Sequence, residues 1–353
     1  GFAIGFKLLS KGFDVKIFDY EQVGEPSSVA VGMLAPLIEA KPYELSLFNL
    51  MLESKNQWLN FSKKLTIDSK FDIQFKKNSS LMIANNFDEL EKIKFKRRFI
   101  ESIGFNVEML DRDKTLRLEP LLSENAYASL FCKEQDQVNP KLLRESLKIS
   151  FLKNGGKIEK QKINKVLFEK NKVGVKLNNQ KIFASKVVIS SGVWSNQIIE
   201  NSFKISLPLK PIKGVTISIQ SPKNAELIKH NLWFKNIYVA PRNDGKIIVG
   251  ATEDERGFET IINTREIYYL TKNLWENLPF IQDYEIIEFK SGLRPGTCDG
   301  LPIIGSINHI SKDIICAFGH YRHGVLLAPI TSEIVCSYIS EEKIPEKFKC
   351  FSP

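Results

Sequence analysis

The residues best placed to do chemistry in this sequence sit in glycine-flanked turns. GHYRHG (319–324) lies between an apolar strand pattern, DIICAF, and a helical one, VLLAPITSEIVCSYI. A strand-to-helix turn directs unpaired N–H groups outward, and the helix adds a positive dipole, so such a turn suits an anionic group. A helix entry with no ligand has the same pattern. Arg294 in GLRPGT carries a planar guanidinium fork, which suits a carboxylate through two parallel hydrogen bonds. An ion pair with one of the 41 acids would use the same fork. Tyr238 belongs to an alternating stretch, where it is either core or a hydroxyl facing a ligand.

The opening segment, GFAIGFKLLSKGFDVKIFDYE, reads as helix, tight turn and strand. Gly12 ends the helix, Val15, Ile17 and Phe18 form a short buried strand, and Asp19 stands at its C-terminal end. This is the pattern of the second half of a dinucleotide-binding βαβ unit. There a glycine opens the helix so that a pyrophosphate can sit on its N-terminus, and a strand-end acid accepts hydrogen bonds from a ribose. A surface helix followed by a strand would look similar. Gly1 stands where the third glycine of G-x-G-x-x-G belongs, so the expectation is a chain truncated at its N-terminus. A strand-wide gap in the cofactor sheet beside residues 14–19 should accompany it.

Other chemistries find little support. The five cysteines (132, 298, 316, 336, 350) and four histidines (230, 309, 320, 323) lack metal-ligand or redox-pair spacing, so no metal is expected. No P-loop and no G-x-S-x-G elbow is present. Net charge is +9, but the lysines are spread along the chain beside many Asn and Ile residues, which does not favour a nucleic-acid partner. There is no spanning apolar run and no signal-peptide layout, so a cytoplasmic enzyme is expected.

The 353 residues allow two domains, not necessarily contiguous ones. Helical spacing over 45–65 places Leu47, Leu50, Met51, Trp58 and Leu59 on one stripe. A polar helix is expected over 87–103, one starting at Pro140, one over 264–277, and a C-terminal one of about four turns. Between 157 and 190 the alternating segments read as antiparallel strands with turns at Asn171 and Asn178–Asn179; Val187–Ile189 reads as buried on both faces. VTISIQ, NIYVAPR and KIIVGAT add further strands. The fold class is α/β: a Rossmann-like nucleotide domain, N-terminally truncated, interleaved with a substrate domain built on a mixed or antiparallel sheet.

Five stretches in this order carry a family resemblance: VAVGMLAP (29–36), VVISSGVWS (187–195), YVAPRNDGKIIVGATEDERGF (238–258), GLRPGTCDGLPIIG (292–305) and GHYRHGVLLAP (319–329). They span nearly the whole chain, which resembles the glycine oxidase branch of the D-amino-acid oxidase superfamily. The resemblance implies non-covalent FAD and a small amino-acid substrate. The amine's α-hydride passes to the flavin, water hydrolyses the imine, and O2 accepts the electrons. The resemblance makes glycine the leading substrate and implies supply of the imine to the thiazole ring of thiamine. A D-amino acid or sarcosine oxidase or dehydrogenase is one alternative, and the FAD half of a tRNA wobble-uridine modifier is another. Self-association into a homo-oligomer is left open.

The resemblance also implies residue roles. Gly1 matches the last glycine of the dinucleotide turn and Asp19 the ribose-binding acid. Ser27, Ser28, Val31, Gly32 and Met33 match a loop beside the flavin. Val166 matches an adenine contact made through the backbone, while Ser191 and Gly192 match the turn near the pyrophosphate. His320, Tyr321, Arg322, His323, Gly324, Val325 and Leu326 match the turn at the flavin's pyrimidine edge. Arg294 matches the arginine that grips the substrate carboxylate, Tyr238 a tyrosine beside it, and Arg322 a second arginine near flavin and substrate. His323 departs from the usual Asn, and Glu253 stands where one glycine oxidase type has Met against the substrate. Cys298 lies near the region where sarcosine oxidases attach flavin, but not at the attachment position. The expected cofactor domain draws on 1–72, 138–203 and 292–353, and the substrate domain on 73–137 and 204–291.

Overall fold

In the computed structural model, which describes residues 1–178 and 180–353, the largest element is a mixed sheet of eight strands. Its order is 285–297, 209–220, 246–250, 238–241, 231–233, 80–84, 128–132 and 108–110. Neighbours are antiparallel except at the centre, where Asn231–Trp233 runs parallel to Ser80–Ala84. Successive side chains alternate between faces. Val215, Ile217, Ile219, Val239, Ile247 and Val249 form one face and pack with Leu270 and Leu274 of the helix Thr264–Asn277. That helix is held at its start by a capping box, Asn263 with Glu266. Each fully buried aliphatic side chain contributes about 1.5–3 kcal/mol. The opposite face therefore collects Gly214, Thr216, Tyr238, Gly250, Gly292 and Arg294.

A second core joins the helices Phe2–Leu9, Leu45–Ser69, Pro140–Lys153 and Ala328–Ile339. Leu47, Leu50, Met51 and Trp58 are buried as their spacing predicts, but Leu59 is 38% exposed, and the helix runs on to Ser69. The C-terminal helix has 12 residues, about three turns, because its expected first turn is instead the irregular segment 324–327. A third core gathers around Val166, Val187, Ile189, Ile314 and Phe318.

The strand Lys16–Phe18 pairs in parallel with Lys157–Glu159, and Val187–Ile189 pairs in parallel with Ser311–Phe318. This corrects the antiparallel reading of 157–159 and 187–189. The helix Pro140–Lys153 ends at Gly155–Gly156, and the returning chain enters alongside the first strand as a βαβ crossover. Only Lys165–Glu169, Lys172–Leu177 and Gln180–Ala184 form an antiparallel meander. The last turn expected at Asn178–Asn179 falls partly on residue 179, outside the described residues. No hydrogen-bonded pairing joins Lys16–Phe18 to Val187–Ile189 or its neighbours among the described residues.

Candidate active site

Strand pairing assembles the site. Tyr238 lies opposite Gly250, which lies opposite Thr216, so tyrosine, glycine and threonine form a row across three strands. Arg294 lies opposite Ile212, two residues from Gly214. Two of the glycines seat the Tyr238 and Arg294 side chains. A Cβ on Gly250 would fall 2.3 Å from Tyr238 Cε2, and one on Gly214 would fall 2.4 Å from both terminal nitrogens of Arg294. Glycine inside a strand marks such a close approach. Arg294 Nη1 also donates to the Thr252 carbonyl at 3.1 Å, which steers the guanidinium along the sheet.

Arg294 and Tyr238 line one cavity of about 330 Å³. The same cavity reaches Gly1, Ser27, Val31, Gly32, Met33, Gly192, His320, Tyr321, Arg322, Gly324 and Val325, so the structure brings together most of the residues singled out from the sequence. Six others stand back from it. Asp19 is one step removed, 3.4 Å from the guanidinium of Arg144, which does line the cavity. Ser28 turns its hydroxyl back to the Glu25 carbonyl at 2.7 Å. Ser190 rather than Ser191 faces the cavity, since Ser191 starts the short helix Gly192–Trp194. Val166 has a core side chain, and its amide donates to Ser202 Oγ at 2.8 Å, so that amide is already engaged. The Leu326 side chain is core, and its carbonyl accepts from Ser54 Oγ and Trp58 Nε1. His323 is buried and directed at Glu39, its Nδ1 2.7 Å from Oε2.

The turn 320–327 has the donor geometry that its pattern implies. Tyr321, with φ of 47°, donates its amide to the Pro295 carbonyl, and the His323 amide closes back on His320. Among the described residues, the amides of Gly324, Val325 and Leu326 find no protein acceptor, and the helix Ala328–Ile339 follows directly. Unpaired N–H groups at a helix entry are the chemistry that holds an anion. Gly1 and Gly324 leave backbone approachable along the same cavity, whereas Gly32, at φ of 80°, packs against Val138, where a Cβ would fall 2.2 Å from the carbonyl oxygen.

Charges around the turn are arranged by Glu39, a residue the sequence reading missed. Its Oε1 lies 3.6 Å from Arg322 Nε, and Arg322 sits 5.8 Å from the centre of the Tyr238 ring. Burial pushes the Glu39 carboxyl up, but Arg322, His323 and Lys96 together outweigh it and hold it down at about 2. The Glu39 carboxylate pushes Arg322 above its ordinary range. Burial and the adjoining Glu253 carboxylate raise the Tyr321 hydroxyl, while burial lowers His320 to about 3. The His320 ring is fixed by a 2.9 Å contact between Nε2 and Thr331 Oγ1. Arg242 pins the loop of Val31 and Gly32 from behind, bonding the carbonyls of Val31 and Val138. Burial lowers its pKa to about 10. Two signals pointed to the missed residues: Glu39 is the one acid in the apolar run VAVGMLAPLIEA, and Gly214 and Gly250 interrupt strands rich in Ile and Val.

Comparison with known proteins gives a consistent picture. A family model described as FAD dependent oxidoreductase (DAO) matches residues 1–338. A bifunctional protein ThiO/ThiG of a Nostoc species is 30% identical over 352 residues, covering 97% of this chain and 51% of that protein. The chain thus spans about half the length of the bifunctional relatives. A glycine oxidase of Geobacillus kaustophilus is 26% identical over 347 residues, covering 97% of this chain and 91% of that protein. A crystal structure of glycine oxidase from Geobacillus kaustophilus superposes with a TM-score of 0.94 at 25% identity, covering 100% of this chain and 95% of the other.

Proposed function

The chain belongs to the FAD-dependent oxidoreductase family, and from that premise we propose that it oxidises a small amino acid, glycine foremost, to the imine and onward to the keto acid. One observation carries the reading. Arg294 and Tyr238, distant in sequence, project from the same sheet face into one cavity that is also lined by Gly324 and Val325, whose amides have no protein acceptor among the described residues. Bound FAD supplies the two-electron acceptor; the protein supplies orientation and charge. Arg294 takes the substrate carboxylate in its fork, and the Tyr238 hydroxyl adds a second hydrogen bond. That grip fixes the α-carbon and reduces the entropy lost in reaching the reactive arrangement. The amides of Gly324 and Val325, with Arg322 beside them, favour negative charge on a cofactor edge bound in the cavity.

The cofactor roles of Gly1, Ser27, Val31, Gly32, Met33 and Gly192 belong to the same proposal, supported by where the cavity runs, and that of Asp19 belongs to it through Arg144, which lines the cavity. So does the division into a cofactor domain (1–72, 138–203, 292–353) and a substrate domain (73–137, 204–291). O2 as electron acceptor and a cytoplasmic setting are part of it; no helix among the described residues is long and apolar enough to cross a membrane. Similarity to one half of a protein named ThiO/ThiG supports supply of the imine to thiazole synthesis.

Oxygen uptake with glycine, sarcosine, D-alanine and D-proline tests the reading on FAD-loaded protein. Turnover is expected with at least glycine. Arg294→Ala should raise KM strongly by removing carboxylate binding, and lower kcat where orientation is also lost. Unchanged kinetics in that variant would refute the role given to Arg294.

A further inference from the structure

A second cavity, of about 490 Å³, opens on the far side of Tyr238 and Arg322, which line both cavities. Its size falls within the roughly 300–1,000 Å³ of ordinary small-molecule sites, far more than a glycine needs. The wall between the cavities is a pair of side chains, the Arg322 guanidinium over the Tyr238 ring, and Arg322 keeps 35% exposure. Such a wall can yield to a substituent carried by the substrate.

The charges lining this second cavity are mostly matched. Asp254 pairs with Arg265 at 3.0 Å, Glu266 with Lys213 at 2.7 Å, and Arg322 with Glu39 at 3.6 Å. Among the described residues Glu253 forms no ion pair, and neither does Lys235. Their positions differ. Lys235 lies on the exposed turn between the strands Asn231–Trp233 and Tyr238–Pro241. Glu253 lines the second cavity together with Tyr238 and Arg322, the two side chains that also line the first. The carboxylate without an ion partner therefore lines the second cavity, which shares the Tyr238–Arg322 wall with the first.

We propose that this second cavity is a subsite for a substituent on the amino-acid substrate, and that Glu253 recognises a cationic or hydrogen-bond-donating group on it. The inference rests on the amino-acid oxidation proposed above. Arg294 holds the carboxylate end, and the charge of Arg322 is already met by Glu39. A basic group in the second cavity then meets in Glu253 a carboxylate without an ion partner, whereas an acidic group faces repulsion from it. Glycine fits the first cavity alone; the subsite selects among larger amino acids by charge.

The test uses FAD-loaded protein, with both O2 and a dye as electron acceptors. Substrates are glycine and both enantiomers of alanine, lysine and glutamate. The kcat/KM for the better lysine enantiomer should exceed that for the better glutamate enantiomer by about tenfold or more, and Glu253→Gln should reduce that ratio by about tenfold. Glycine or alanine oxidation with glutamate preferred, or with a ratio unmoved by Glu253→Gln, overturns the subsite and leaves amino-acid oxidation standing. If no amino acid is oxidised and none perturbs the flavin spectrum, the underlying reading fails and the subsite fails with it.

Discussion

At the residue scale, the site depends on titratable groups held far from their ordinary ranges by opposite causes. Glu39 is kept ionised by Arg322, His323 and Lys96 against the cost of burial, whereas His320 is kept neutral by burial. Both folded-state values lie below the unfolded ones, so in both cases the unfolded chain binds the proton first as pH falls. For His320, stability should decline from about pH 6.5 toward about 3. For Glu39, the contribution is present above about pH 4.5 and is lost as pH falls toward about 2. Denaturant unfolding followed from pH 7 to pH 3 should show a smaller loss in His320→Gln than in the parent protein. An identical slope in the two proteins would show that burial does not set the state of His320. Arg294, Arg322 and Tyr238 were legible in the sequence because their motifs are distinctive. Glu39 was not, because nothing local distinguishes a carboxylate that will be flanked by partners from distant segments.

At the element scale, the strands act as rulers. Alternation sends Val215, Ile217 and Val239 into one core and leaves Thr216 and Tyr238 on the face of the cavity. Glycine then makes room where a reactive side chain must lie flat on the sheet. Gly250→Ala tests this directly. Its new methyl group would meet the Tyr238 ring at 2.3 Å, and the ring must swing away. Overpacking of this kind costs about 1–3 kcal/mol. The expected result is a KM raised several-fold alongside a modest fall in Tm. A variant with lower Tm but parental KM would show that Gly250 serves packing and not the placement of Tyr238. The helix 264–277 and the strands around it followed from periodicity. The parallel partners of 157–159 and 187–189 did not, since an apolar triplet carries no information about the direction of its neighbour.

At the scale of the whole molecule, one cavity draws on segments from both ends of the chain, and none of the five cysteines lines it. Cys298 is exposed, just beyond the strand that carries Arg294. FAD should therefore be held without a covalent link. Acid precipitation of loaded protein should leave the yellow cofactor in solution; flavin retained in the pellet would contradict this.

The sequence by itself determined the class of fold, the family and the main helices, because these depend on apolar periodicity and on motifs that are contiguous in the chain. It also marked the turn 319–324 as a candidate for holding an anion, since helix-entry N–H groups are a local property. Tertiary structure alone decided which of the singled-out residues meet. Asp19 and Val166 stand back because Arg144 and Ser202 engage them, and Glu39 becomes central because Arg322 and His323 reach it from almost the other end of the chain. The physical reason is the same in each case. Burial, charge pairing and the seat beneath a side chain are properties of neighbours in space, and those neighbours here lie up to hundreds of residues apart in sequence.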